Sequence, residues 1–173
     1  SPVEVLPRTF DDICGWIREW FNVLPLDVAV AGLKTGTLPA RAACITFDDG
    51  YADNHDIAMP ILQRHGLTST FFIATGYLDG GIMWNDVLIE AVRRTRQSAL
   101  DLGVLLGDDS GAVAVTSTTD RRLAIQALLG KIKYLPPEAR GALCAAIAAQ
   151  AGIAVPTDLM MRSDQVQALH RGG

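Results

Sequence analysis

Two apolar runs, AACITFD at 42–48 and TSTFFIAT at 68–75, are separated by IAMPILQRHG at 57–66, whose apolar positions recur at helical spacing. A strand, a helix and a second strand form a βαβ unit, so the two strands should lie parallel with a right-handed crossover. Neither run alternates cleanly between apolar and polar residues, which is the pattern of strands covered on both faces. The chain therefore reads as α/β. In such folds ligands bind beyond the carboxyl ends of the strands, which is where Asp48 and Asp49 stand, followed at once by Gly50.

The flanking segments extend this pattern. RTFDDICGWIREWF predicts a helix opened by a capping-box-like Thr9 and Asp12, with Phe10, Ile13, Trp16 or Ile17, and Trp20 on its core face. FNVLP reads as a short strand, and LDVAVAGLKTG as a short helix ending near Gly36. Within 57–66, Pro60 falls in the first helical turn and Gly66 ends the helix. WNDVLIEAVRRTRQ predicts a helix with Asn85 as N-cap, and ALDLGVLL and AVAVTST read as a hairpin around GDDSG. Helices follow at about 119–134 and 136–150, with a short one opened by Ser163 and closed by Gly172.

Composition narrows the chemistry. The 173 residues are 49% hydrophobic and 20% charged, enough for a real core. A net charge of -4 without a lysine or arginine run argues against a nucleic-acid partner. Cys14, Cys44 and Cys144 have no CxxC spacing and read as buried thiols. No run is apolar enough for a transmembrane segment. The first residues lack the order of a signal peptide, which favours the cytoplasm over the envelope.

Adjacent carboxylates at a strand end repel unless a cation or a shared proton relieves them. A divalent metal on one carboxylate, with the other near the metal's water, gives them hydrolytic work: the metal lowers the pKa of the water and the free carboxylate takes its proton. The plainer reading is a solvated turn before a helix. The apolar strand upstream, and TFDDGY as a longer and more particular motif, favour a site. GDDSG at 107–111 sits in a hairpin and keeps the plain reading.

ITFDDGYADN with ILQRHGLTSTFFIATGYLDGG resembles the N-terminal half of the polysaccharide deacetylases, carbohydrate esterase family four, over residues 21–78. LMMRSDQVQALHRGG resembles the segment leading into that family's next strand, and GGIMWNDVLIEAVRR resembles a subgroup of bacterial members. The resemblance implies a partial deformed (β/α) barrel. Residues 1–173 would form one incomplete domain, with a largely helical insertion over 79–160. It also implies a hydrolase that removes N-acetyl, or less often O-acetyl, groups from amino sugars of a polysaccharide or oligosaccharide with a divalent metal, commonly zinc. By position, Asp48 would be the catalytic base and Asp49 a metal ligand, with Thr46, Phe47 and Gly50 holding the loop.

The family completes its site with a His-x-x-x-His motif, an arginine and an acid histidine. His55, His65 and His170 lie ten or more residues apart, so no pair has the spacing that places two ligands on one helical face. The chain is accordingly expected to bind metal weakly or not at all and to be little active alone. His55 reads as an exposed residue at a helix entrance, or as a surrogate ligand beside Asp49. His65 and His170 read as caps of helix C-termini. Tyr77 and Trp84 could line a sugar cleft, because flat rings pack on pyranose faces, or could anchor the core. Two rival functions stand beside the deacetylase: magnesium-dependent phosphoryl transfer at the acidic pair, and a noncatalytic module that forms homo-oligomers through exposed strand edges.

Overall fold

The structure is a computed structural model that describes residues 5–103 and 111–172, so GDDSG lies outside the described residues except for Gly111. The chain divides into two compact units, residues 1–81 with 158–173, and residues 82–157.

The first unit opens with α1 (Pro7–Trp20), β1 (Asn22–Val23), α2 (Leu26–Thr35) and β2 (Ala42–Ala43). β1 and β2 pair in parallel, with Asn22 opposite Ala42 and Val23 opposite Ala43. β3 (Thr46–Phe47), α3 (Met59–His65) and β4 (Thr70–Phe71) make a second parallel crossover, with Thr46 opposite Thr70 and Phe47 opposite Phe71. After α7 is counted (Ser163–Gly172), this unit is a mixed helix and strand assembly with no closed barrel among the described residues.

Its centre is aromatic. Phe47 and Phe71, directly opposite across β3 and β4, stack at 4.9 Å and 16°, and Phe10 of α1 meets Phe47 edge-on at 6.0 Å. Cys14, Ile61 and Leu62 complete this core from the two helices. An ion pair stitches the same helices together: Asp11 Oδ1 lies 2.7 Å from His65 Nε2 and 3.2 Å from Arg64 Nη2. His65 thus ties α3 to α1, where the sequence suggested a cap on its own helix. His170 lies in the last turn of α7, as read.

Several local expectations are corrected. AACITFD is not one strand covered on both faces. It splits into β2 and β3 with different partners, and Thr46 is exposed, because each two-residue piece has a single strand neighbour. Nor are Trp16 and Trp20 core. They are 52% and 50% exposed and stack on each other at 6.3 Å. At 3.6 residues per turn, Trp16 points about 200° around the helix from the fully buried Cys14. Phe10 and Ile17 lie within about 60° of Cys14 and are half-buried, and Phe10 packs on the Cys14 cluster. Helix α1 starts at Pro7 with Leu6 as N-cap and no side-chain cap bond, so Thr9 and Asp12 form no capping box.

The segment Asn54–Ala58 winds as a π-turn running directly into α3. Pro60 is the cause: it has no N–H, and its ring would crowd the carbonyl four residues back. Widening the preceding turn, with Met59 N–H donating to the Asn54 carbonyl, removes that conflict.

The second unit contains α4 (Trp84–Arg94), β5 (Ala99–Asp101), β6 (Ala112–Ala114), α5 (Thr118–Ile132) and α6 (Pro137–Ala151). β5 and β6 pair antiparallel, with Leu100 opposite Val113. Leu88, Val92, Leu128, Ile132 and Ile147 fill its core. Met83, not Asn85, is the N-cap of α4. At the other end of α4 the Arg121 guanidinium donates to the carbonyls of Arg93 and Thr95, satisfying groups the helix leaves open. Ser117 and Asp120 form a capping box on α5.

The three cysteines are free. Cys14 and Cys144 are buried, which pushes both thiols up, and Cys44 is half-buried. No helix among the described residues is long and apolar enough to cross a membrane.

Leu128 is fully buried whereas Trp16 is not, so Leu128→Ala should cost about 3 kcal/mol and Trp16→Ala less than about 1 kcal/mol. Urea unfolding of both variants measures the contrast, and equal losses would overturn the packing described. Asp11 is held below its ordinary value of 3.8, first by the His65 hydrogen bond. Because the folded carboxyl pKa is depressed, its contribution is complete above about pH 3.8 and is lost as pH falls through the lower folded value. Asp11→Asn should therefore flatten the acid limb of a stability-against-pH curve.

Candidate active site

β3 ends at Phe47, and the next three residues make a tight turn. Gly50 N–H donates to the Asp48 carbonyl at 2.9 Å, with Asp49 between them at φ +72°. A bond from residue i+2 back to residue i, around a residue with positive φ, is the strained form of γ-turn. Asp tolerates this region better than most residues, and such strain persists only where the surroundings fix it.

Three backbone bonds do the fixing. Ala74 N–H donates to the Asp49 carbonyl at 3.0 Å, Met161 N–H to the Gly50 carbonyl at 2.9 Å, and Ala52 N–H to the Leu159 carbonyl at 2.8 Å. Tyr51 forms an antiparallel bridge with Met160. The turn is thus held on one side by the continuation of β4 and on the other by segment 159–161. Gly50 is buried at φ +86°, and a Cβ there would come within 2.9 Å of Ile73 Cγ2. It must be glycine on both counts.

Asp48 and Asp49 are exposed. Among the described residues no group of three or more His, Cys, Asp or Glu side chains is placed to hold a metal ion. The described residues therefore do not by themselves make a metal centre. His55 is not a free loop residue. It lies in the π-turn, and its Nδ1 is 2.7 Å from Asp56 Oδ1. The Asp56 carboxyl is held low, first by His55 and then by Gln165, whose Nε2 donates to it at 2.9 Å.

Tyr77 ends a short 3-10 turn (Thr75–Tyr77) in the first unit and is half-buried. Trp84 belongs to the second unit, at the start of α4. It packs on that core, with the Arg140 guanidinium 5.0 Å above its ring.

Two residues went unnoticed in the sequence. The Asp79 carboxylate accepts from Ser163 N–H at 2.8 Å and from Ser163 Oγ at 2.6 Å, and these bonds hold it low. Gln165, buried, accepts from Arg162 N–H at 2.8 Å while reaching Asp56. The only sequence signal for Asp79 was the turn-forming Asp-Gly-Gly at 79–81, since its partner lies 84 residues away.

A cavity of about 330 Å³ lies beside β4, lined by Leu62, Phe71, Ile73, Val166 and Leu169 among others. Neither Asp48 nor Asp49 lines it.

Residues 35–103 match the polysaccharide deacetylase family model. Over 75 residues the chain is 25% identical to the Bacillus subtilis protein named "Putative polysaccharide deacetylase YxkH", an overlap of 42% of this chain and 27% of that protein. No solved structure matches the chain.

Gly50→Ala places a side chain in the left-handed region and against Ile73. It should destabilise the protein by at least about 1 kcal/mol and displace the amide signals of Asp49 and Tyr51. Unfolding and NMR spectra that match the parent would contradict the tight turn.

Proposed function

We propose that this chain, whose residues 35–103 form part of a polysaccharide deacetylase domain, contributes the base and one metal-ligand position of a metal-dependent hydrolase acting on N-acetylated amino sugars. The reading rests on one observation: a strand-end Asp-Asp-Gly turn, strained at Asp49 and bonded on both sides, lies inside the segment that matches the family. Strained residues of this kind cluster at active sites and ligand clamps.

In this reading Asp48 would take a proton from the attacking water, and Asp49 would be one ligand position for a divalent cation, zinc in the family the chain resembles, which would supply Lewis acidity at the acetyl carbonyl when bound. The bond cleaved is the amide C–N of the acetamido group. Tyr77, half-buried in the first unit, is proposed to face the sugar, whereas Trp84 is packed on the core of the second unit. The architecture proposed is a partial deformed (β/α) barrel interrupted by the helical insertion over 79–160.

The chain alone should be a poor catalyst. Two of its three histidines are engaged with carboxylates, His55 with Asp56 and His65 with Asp11. One carboxylate ligand is a weak zinc site, since such sites draw on three or four donors. Self-association is the alternative that an observation favours: Trp16, Trp20, Phe21 and Phe72 are large apolar side chains left 43–52% exposed.

Titration calorimetry with zinc should show no submicromolar site, and acetate release from chitooligosaccharides should be slow and abolished by Asp48→Asn. A tight zinc site that disappears in Asp49→Ala would refute the weak-binding part while supporting the ligand. Turnover of an aryl phosphate, abolished by the same variants, would instead assign phosphoryl chemistry. Light scattering on the same samples decides the alternative, because a clean monomer at high concentration counts against it.

A further inference from the structure

We infer that Asp79 is the positioning residue for the Asp48–Asp49 turn, acting across segment 159–163. The inference rests on the reading of that turn as the reactive site, although the structural coupling can be tested without it.

The chain of contacts is short and continuous. Asp79 holds Ser163 twice, through its backbone N–H and its hydroxyl. It also donates its own N–H to the Met161 carbonyl at 3.2 Å. Met161 in turn donates its N–H to the Gly50 carbonyl, and two residues earlier the Leu159 carbonyl receives Ala52 N–H. Segment 159–161 is therefore a strap, bonded to the loop at 79 on one side and to the Asp48–Gly50 turn on the other.

Met160 and Met161 are essentially fully buried, so the strap cannot slide without losing apolar burial. Asp79 adopts φ +59°, a conformation that costs free energy in a non-glycine residue and that its contacts must offset. The carboxylate at Ser163 and the Asp79 N–H at Met161 hold the strap at two points two residues apart, so releasing the carboxylate leaves the weaker backbone bond to hold segment 161–163 alone.

The alternative is that the strap holds itself and Asp79 merely caps the helix. In that case removing the carboxylate would disturb α7 but leave the turn unchanged. Hydrogen bonds to a charged acceptor are among the stronger ones, so their loss should open the strap measurably.

The test uses the full chain labelled with ¹⁵N and Mn²⁺ alone as the probe ion. In Asp79→Ala, exchange of the Ala52 and Met161 amides should quicken about tenfold, and the Gly50 signal should move. Amides of α1 and of the second unit should keep their parent rates. Line broadening by Mn²⁺ at residues 48–50 should then require several-fold more ion than in the parent. Asp79→Asn keeps an acceptor for Ser163 N–H and should restore both readouts to within about twofold of the parent. If Asp79→Ala does not fold, Ser163→Ala removes the hydroxyl bond alone and should show the same changes in smaller measure.

Parent-like exchange at Ala52 and Met161 in the alanine variant overturns the coupling, whether or not the ion binds. Quickened exchange with an unmoved Gly50 signal also overturns it, because the strap would then loosen without reaching the turn. If the exchange and Gly50 effects are present and the parent shows no broadening at residues 48–50, the coupling is supported and the ligand reading of Asp49 fails.

Discussion

The in-register stack of Phe47 on Phe71 is the contact on which the first unit depends. A parallel pair only two residues long has few ladder bonds to hold it, and its register would be weakly specified by hydrogen bonding alone. Two phenyl rings placed directly opposite, with Phe10 of α1 closing on them edge-wise, fix that register through packing. A slip of β3 by one residue would turn the Phe47 ring away from the helices and break the stack. Because Phe47 is the last residue of β3, fixing it also fixes where the chain leaves the sheet, and Asp48 is the next residue.

Having left the sheet, the chain must reverse before α3, and two irregular features share that work. The γ-turn at Asp49 redirects the backbone within three residues, and the π-turn at 54–58 absorbs the conflict imposed by Pro60. The first carries strain that surrounding bonds must hold, whereas the second relieves it. That difference explains why the Asp48–Gly50 turn is bonded from both sides, by Ala74 and by Met161. A turn without such neighbours would relax to an unstrained form.

The larger elements were legible in the sequence because their signals are local. Gly36, Gly66 and the period of the apolar residues located α2 and α3, and the same kind of pattern located α5, α6 and α7 to within a residue or two. The parallel pairing followed from the order of strand and helix. What failed depends on angles and on distant partners. Trp16 matches a loose helical period with Phe10 and Ile13, yet the face that packs is set by Phe10 and Cys14, and hydrophobicity alone does not choose between those stripes. His65 looks like a C-cap from its place before Gly66. Its partner, Asp11, lies 54 residues away in a different helix. Of the candidate site the contiguous Asp48, Asp49 and Gly50 were legible, while the Met161 contact to the turn and the Asp79 contacts to Met161 and Ser163 come from segments no spacing rule connects to the motif.

The exposure of Asp48 and Asp49 bears directly on what the turn can do. Two carboxylates about 4 Å apart in water repel by only about 1 kcal/mol, and salt reduces that further. The strain at Asp49 belongs to the backbone. The same pair inside a water-poor cleft would repel several times more strongly, and a divalent ion there would be held by the charge it relieves. For the proposed site, desolvation of Asp48 and Asp49 by whatever covers them would therefore matter beside the turn that presents them.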